Sequence, residues 1–205
     1  MHRDLKPANI VVDPRGVLRL IDFGQAAFAY LPGHPLRQRF DGGYEDLVEK
    51  NGFSCGTLPY KAIEVLLGDT SCGQPMDIWS IGCVVFELIV CAPLFGSPCL
   101  PEDMVKQCFA QLGQQHRVGC LSGLPKWRPF LNIRESHVNF TTRIRYVAPG
   151  PGGAACGRFA KALLNFDKRE RPNIAGCLAL WTAYCRQLKL SGLPKVRCFA
   201  SGIAK

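Results

Sequence analysis

Apolar residues first gather in two short β-branched runs, Ile10-Val11-Val12 and Val17-Leu18-Arg19-Leu20-Ile21, on either side of Asp13-Pro14-Arg15-Gly16. Pro and Gly in that bridge suit a tight turn, so the pattern predicts a β-hairpin. From Gln25 to Asn51 no period is sustained, and Pro32, Gly33, Pro35, Gly42 and Gly43 mark a loop. Residues 61–67 read as a short helix closed by Gly68. A strong helix follows from Met76 to about Val90, apolar almost all round, as expected of a helix at the centre of a domain. Pro101 to Leu112 predicts another helix, with Met104, Val105, Cys108, Phe109 and Leu112 at helical spacing. A long irregular stretch then runs to Gly157. Within it, Gly150-Pro151-Gly152-Gly153 fits no phosphate-loop pattern and reads as a flexible connection. Two last helices are expected over Arg158–Phe166 and from Pro172 to about Leu188, before a basic tail at 189–205. The expected fold is mainly α with one small β-hairpin.

Composition narrows this picture. A compact chain of 205 residues buries about 70–75% of its unfolded surface. An apolar content of 47% and a charged content of 20% describe a globular protein. The longest apolar stretch, Ile81 to Leu94, is interrupted by Glu87 and Pro93 and is too short to span a bilayer, so no membrane association is expected. Met1 is followed directly by His, Arg and Asp, unlike a signal peptide. The 11 cysteines are odd in number and lack zinc spacing. Cys83, Cys91 and Cys177 fall in helical apolar patterns, so reduced core thiols and an intracellular location, cytoplasmic or nuclear, are expected.

Charge is uneven. Residues 1–118 carry 10 Lys and Arg against 13 Asp and Glu, whereas residues 119–205 carry 15 against 3. The segment from Lys126 to Tyr146 interleaves Arg128, Arg134, Arg143 and Arg145 with Trp127, Phe130, Phe140 and Tyr146. Such a segment can bind nucleic acid or an acidic partner, but no nucleic-acid motif accompanies it. A solvated face over a small core is the expectation, and nucleic acid is not expected as a partner.

The chemistry concentrates near the amino end. Asp4, Asn9 and Asp22, with Lys6 between the first two, give two carboxylates, an amide and a cation on the frame of the hairpin, which brings its ends together. Such a set suits magnesium held against a phosphate. His2-Arg3-Asp4-Leu5-Lys6-Pro7-Ala8-Asn9 followed by Asp22-Phe23-Gly24 resembles the catalytic loop and magnesium motif of eukaryotic protein kinases. The resemblance continues through Gly56-Thr57-Leu58-Pro59-Tyr60, Ala62-Ile63-Glu64 (usually Ala-Pro-Glu), Asp77-Ile78-Trp79-Ser80-Ile81-Gly82 and Arg171-Pro172. Lys6 is of the Ser/Thr type. Val65-Leu66-Leu67-Gly68, Met76 to Cys83 and Pro93-Leu94-Phe95 look like the cyclin-dependent, mitogen-activated and related groups, whereas Gly56-Thr57-Leu58-Pro59-Tyr60 is more like other Ser/Thr groups, so the subgroup stays open.

The resemblance implies a carboxy-terminal kinase lobe over residues 1–188, starting at the catalytic loop, with the family's amino-terminal lobe absent from this sequence. Its parts would be the catalytic loop and hairpin (1–24), an activation segment (22–64) and a helical subdomain (65–188). It implies transfer of the ATP γ-phosphoryl to protein Ser or Thr hydroxyls. Asp4 would accept the hydroxyl proton, Lys6 would reach the transferring group, and Asn9 and Asp22 would hold Mg2+. Lys6, Asn9, Val11 and Asp22 would contact ATP. Thr57 would hydrogen-bond Asp4 and Lys6, His2 and Phe23 would pack into the core, and Gly24 completes the motif. Arg3 would pair with an activation-segment phosphate, on Ser54, Tyr44 or Thr57, with Arg37 and Arg39 nearby. Asp77 would accept backbone N–H bonds from the catalytic loop, or simply cap its helix. Glu64 and Arg171 would form a buried ion pair. A protein substrate and a regulatory protein are the implied partners. The alternative reading is a catalytically inactive, kinase-like interaction module.

Overall fold

The computed structural model describes residues 1–26, 56–69, 73–98, 100–113, 119–127 and 136–188. Strands β1 (Ile10–Val12) and β2 (Leu18–Leu20) pair antiparallel in the register Ile10↔Leu20, Val11↔Arg19, Val12↔Leu18. Asp13 makes the turn. Its Oδ1 accepts from Arg15 N at 2.9 Å and Val17 N at 3.0 Å, and its Oδ2 holds the Arg19 guanidinium. Gly16 at φ +77° supplies the left-handed step that a side chain would resist. Apart from half-buried Ile10, the hairpin's apolar side chains stay exposed, Leu18 at 68%.

The rest of the described chain is helical: α1 (Ile63–Leu66), α2 (Gln74–Val90), α3 (Pro101–Leu112), α4 (Phe140–Val147), α5 (Pro151–Leu163) and α6 (Ile174–Gln187). As its pattern predicts, α2 is the central helix, with Met76, Ile78, Trp79, Cys83, Val84 and Phe86 all buried. Glu87, which interrupts the apolar run, accepts the Tyr60 hydroxyl at 2.7 Å. Burial, and then this carboxylate, push the Tyr60 hydroxyl above its ordinary range. Trp79 stacks on Phe95, and Phe109 meets Phe166 edge-on at 5.0 Å between centroids. Each such pair is worth about 0.5–1.5 kcal/mol beyond burial. The one helix expected over Arg158–Phe166 is corrected to two, because α4 occupies part of the expected irregular stretch and α5 begins at Pro151. Asn139 caps α4 through Thr141 N and Thr142 N, and Pro151 stands at the start of α5, where its missing N–H costs nothing.

Glycine there permits contact. A Cβ on Gly153 would lie 1.9 Å from the Ala148 carbonyl oxygen, and one on Gly157 3.1 Å from Ile144 Cδ1. Alanine at 153 would gain roughly 1 kcal/mol of helix propensity. The collision with backbone outweighs it, and Gly153→Ala is expected to destabilise the fold by about 1–3 kcal/mol, as overpacking does. Equal or higher stability in urea unfolding would refute that close approach. Of the three expected core thiols, Cys83 is buried, Cys177 is only half-buried, and Cys91 is exposed and ends α2 at φ 55°; Cys108 and Cys185 are buried as well.

Candidate functional site

The site is built where residues 2–9 lie between the start of α2 and the segment after Gly56. Arg3 takes φ 66°, a strained value for a side chain. It is held there because Asp77, one turn into α2, accepts His2 N at 2.8 Å and Arg3 N at 2.9 Å. Asp77 therefore anchors the loop and does not cap its own helix, whose N-cap is Gly73. His2 is buried and its Nε2 lies 3.0 Å from Ile21 O, while Ile21 N donates to Asn9 O. These bonds tie both ends of the hairpin to the loop.

Asp4 is 5% exposed and its carboxylate is fully engaged. Oδ1 accepts from Thr57 N at 2.9 Å and Thr57 Oγ1 at 2.8 Å. Oδ2 meets Lys6 Nζ at 2.9 Å and Asn9 Nδ2 at 3.2 Å. These four contacts fill the acceptor positions a carboxylate offers. Asn9 Nδ2 also donates to Asp4 O at 2.9 Å, and Lys6 Nζ donates to Thr57 Oγ1 at 2.7 Å. Burial by itself would raise the Asp4 carboxyl. The bonds from Lys6 and Thr57, with the Lys6 charge, outweigh it and hold the group below its ordinary 3.8. A carboxyl depressed on folding adds stability above its unfolded value, and this is lost as pH falls through the lower folded value. Thr57→Val removes the hydroxyl bond at nearly constant volume, so the Asp4 titration followed by NMR is expected to move upward. An unchanged midpoint would exclude the hydroxyl as a cause.

Gly56 sits at φ +84°, and a Cβ there would lie 2.8 Å from Arg3 O, so only glycine lets this segment close on the loop. Gln25 secures the contact, accepting Arg3 Nε on its carbonyl and Gly56 N on its side chain. Sequence reading missed Gln25, which stands in no motif beyond following Gly24.

Two expectations change. Phe23 is 61% exposed and not in the core, although its ring lies 4.9 Å from that of His2. No described element packs on its outer side. Asp22 is also exposed. At φ 60° its carboxylate turns back to accept Gly24 N at 3.3 Å, and it is not among the hydrogen-bond partners of the Asp4 or Asn9 side chains. Val11 is exposed on β1. Ser54, Tyr44, Arg37 and Arg39 lie outside the described residues. The Glu64–Arg171 pair forms as expected, with two bonds of 2.6 and 2.7 Å. Arg171 also donates to Pro75 O and Asn165 O and lies 4.9 Å above the Trp79 ring, which joins α1, the start of α2 and the end of α5.

Residues 1–181 match the family model described as the protein kinase domain. The chain belongs to the protein kinase family. The kinase domain is 41% identical over 119 residues, 57% of the chain, to cyclin-dependent kinase-like 2 of Rattus norvegicus, of which it covers 20%. It is 34% identical over 145 residues, 69% of the chain, to the serine/threonine-protein kinase SSN3 of Chaetomium globosum, covering 26% of that protein. Over 91 residues, 43% of the chain, it is 42% identical to the MAP kinase kinase kinase wis4 of Schizosaccharomyces pombe, covering 6% of it. The chain thus spans about a quarter or less of these relatives.

Proposed function

We propose that this chain supplies the catalytic loop of a serine/threonine protein kinase, transferring the ATP γ-phosphoryl to Ser or Thr hydroxyls of an intracellular protein. The described residues correspond, on this reading, to the carboxy-terminal lobe. One observation carries the proposal: a buried, ionised Asp4 held jointly by Lys6, Asn9 and Thr57 in a loop anchored by Asp77.

Asp4 stays charged at neutral pH because its carboxyl is depressed, so it can orient a substrate hydroxyl and accept its proton. Its acceptor positions are full, so the hydroxyl must displace one partner. Lys6 is the one free to leave, since its side chain is 24% exposed and ends in a flexible stem. Swinging away, it carries its positive charge toward the transferring phosphoryl. Thr57 and Asn9 then keep Asp4 oriented.

The residues also fit Mg2+. Asn9 directs its Nδ2 to Asp4 and leaves its amide oxygen as an acceptor, and Asp22 presents an exposed carboxylate. One or two such oxygens with substrate phosphates are a usual magnesium set. When bound, magnesium neutralises phosphate charge. The exposed Val11 is the apolar contact for ATP.

The test is Mg2+-dependent phosphorylation of a mixed Ser/Thr peptide library, read by mass spectrometry, beside thermal stabilisation by ATP with and without Mg2+. Phosphopeptides and metal-dependent stabilisation support an enzyme. A folded sample showing neither is an interaction module of the kinase fold.

A further inference from the structure

A second concavity lies between α4 and α5, where nothing in the kinase reading assigns a role. It encloses about 400 Å³, within the range of roughly 300–1,000 Å³ of small-ligand sites. Its buried surface comes from Phe140, Ile144 and Gly157. Gly157 lets α5 approach Ile144 of α4 closely, and Gly153 packs against Ala148 just after α4. Around this apolar interior stand Arg145, Arg158 and Lys161, all exposed.

Among the described residues, these cations have no carboxylate partner. From Ser136 to Phe166 the sequence contains no Asp or Glu. Arg158 instead lies 5.4 Å from the Tyr184 ring centroid. An apolar cavity under a positive rim that no described carboxylate pairs complements a molecule with a long apolar body and one anionic end. A flat protein contact of ordinary size would spread over about 800 Å² on each partner, and a single concavity of this volume fits a small ligand better.

We propose that the α4–α5 cavity binds a free long-chain carboxylate, the chain lying on Phe140, Ile144 and Gly157 and the head group meeting Arg145, Arg158 and Lys161.

Calorimetric titration of the full chain with dodecanoate, octanoate and dodecyl alcohol tests this. One-site binding of dodecanoate is expected, weakening roughly fourfold for each methylene removed, as buried methylenes do. The double variant Arg145→Glu/Lys161→Glu is expected to weaken dodecanoate by about tenfold or more, the scale of a lost charged hydrogen bond, and to leave dodecyl alcohol unaffected. Ala154→Trp, which fills the cavity from its exposed side, should abolish both; if it unfolds, the charge variant, altered only on the surface, decides. No saturable binding by folded protein overturns the proposal. Equal affinity for octanoate and dodecanoate, or indifference to charge reversal, does so too. Retention on anionic phospholipid vesicles without binding of free dodecanoate would assign the surface to a membrane and overturn it as well.

Discussion

Arg171→Ala is expected to cost the fold roughly 3–5 kcal/mol, the range for removing one partner of a buried ion pair. The Arg171 side chain is 0% exposed and that of Glu64 4%, so the change leaves a buried carboxylate without its partner. The same change removes the bonds to Pro75 O and Asn165 O and the contact with Trp79. Since a domain has only about 5–15 kcal/mol of stability, the variant should lose a large part of it, read as a lower urea midpoint at unchanged slope. Arg171→Lys rescues little, because an ammonium cannot make the paired bonds to Glu64 Oε1 and Oε2. Glu64→Gln/Arg171→Met, which leaves no unpaired charge, should cost clearly less than Arg171→Ala. Equal costs for the two would mean that the ion pair is not the source of the effect.

Asp4→Asn should lower phosphoryl transfer by at least ~10²-fold, the low end for losing a general base, or about 2.7 kcal/mol of transition-state stabilisation. An amide cannot accept a proton at neutral pH, and its NH2 would face Lys6 Nζ or Thr57 N, both donors. The loop should nevertheless keep its place, because Asp77 holds the main chain of residues 2 and 3 and not the Asp4 side chain. The KM for ATP is therefore expected to stay within a few-fold while kcat falls. A normal kcat in this variant would remove Asp4 from the mechanism. A collapse of both constants with loss of folded structure would make its role structural.

Much of the site was legible because its residues lie close in sequence. Asp4, Lys6 and Asn9 belong to one loop, and five residues bring the Asn9 amide to the Asp4 carboxylate. The hairpin was legible too, since β-branched runs around Asp13-Pro14-Arg15-Gly16 have few other conformations. The boundaries of α4 and α5 were not. Gly150, Gly152 and Gly153 argue against a helix locally, and packing of Gly153 on Ala148 and of Gly157 on Ile144 of α4 offsets that penalty. Phe23 misled for the converse reason: an aromatic residue predicts burial, but burial needs a neighbour, and no described element supplies one.

Residue types and local spacing alone settled that the chain is mainly helical, that a hairpin carries Asp22, and that Asp4, Lys6 and Asn9 share one loop. Folding in three dimensions decided the rest. It brought Thr57 across 53 residues onto Asp4 and Arg171 across 107 onto Glu64, and it turned the Asp22 side chain back on Gly24. Local spacing controls contacts within a turn or two, where the chain has few conformations. Contacts between distant segments depend on which buried surfaces pack together, and that balance is a property of the whole core.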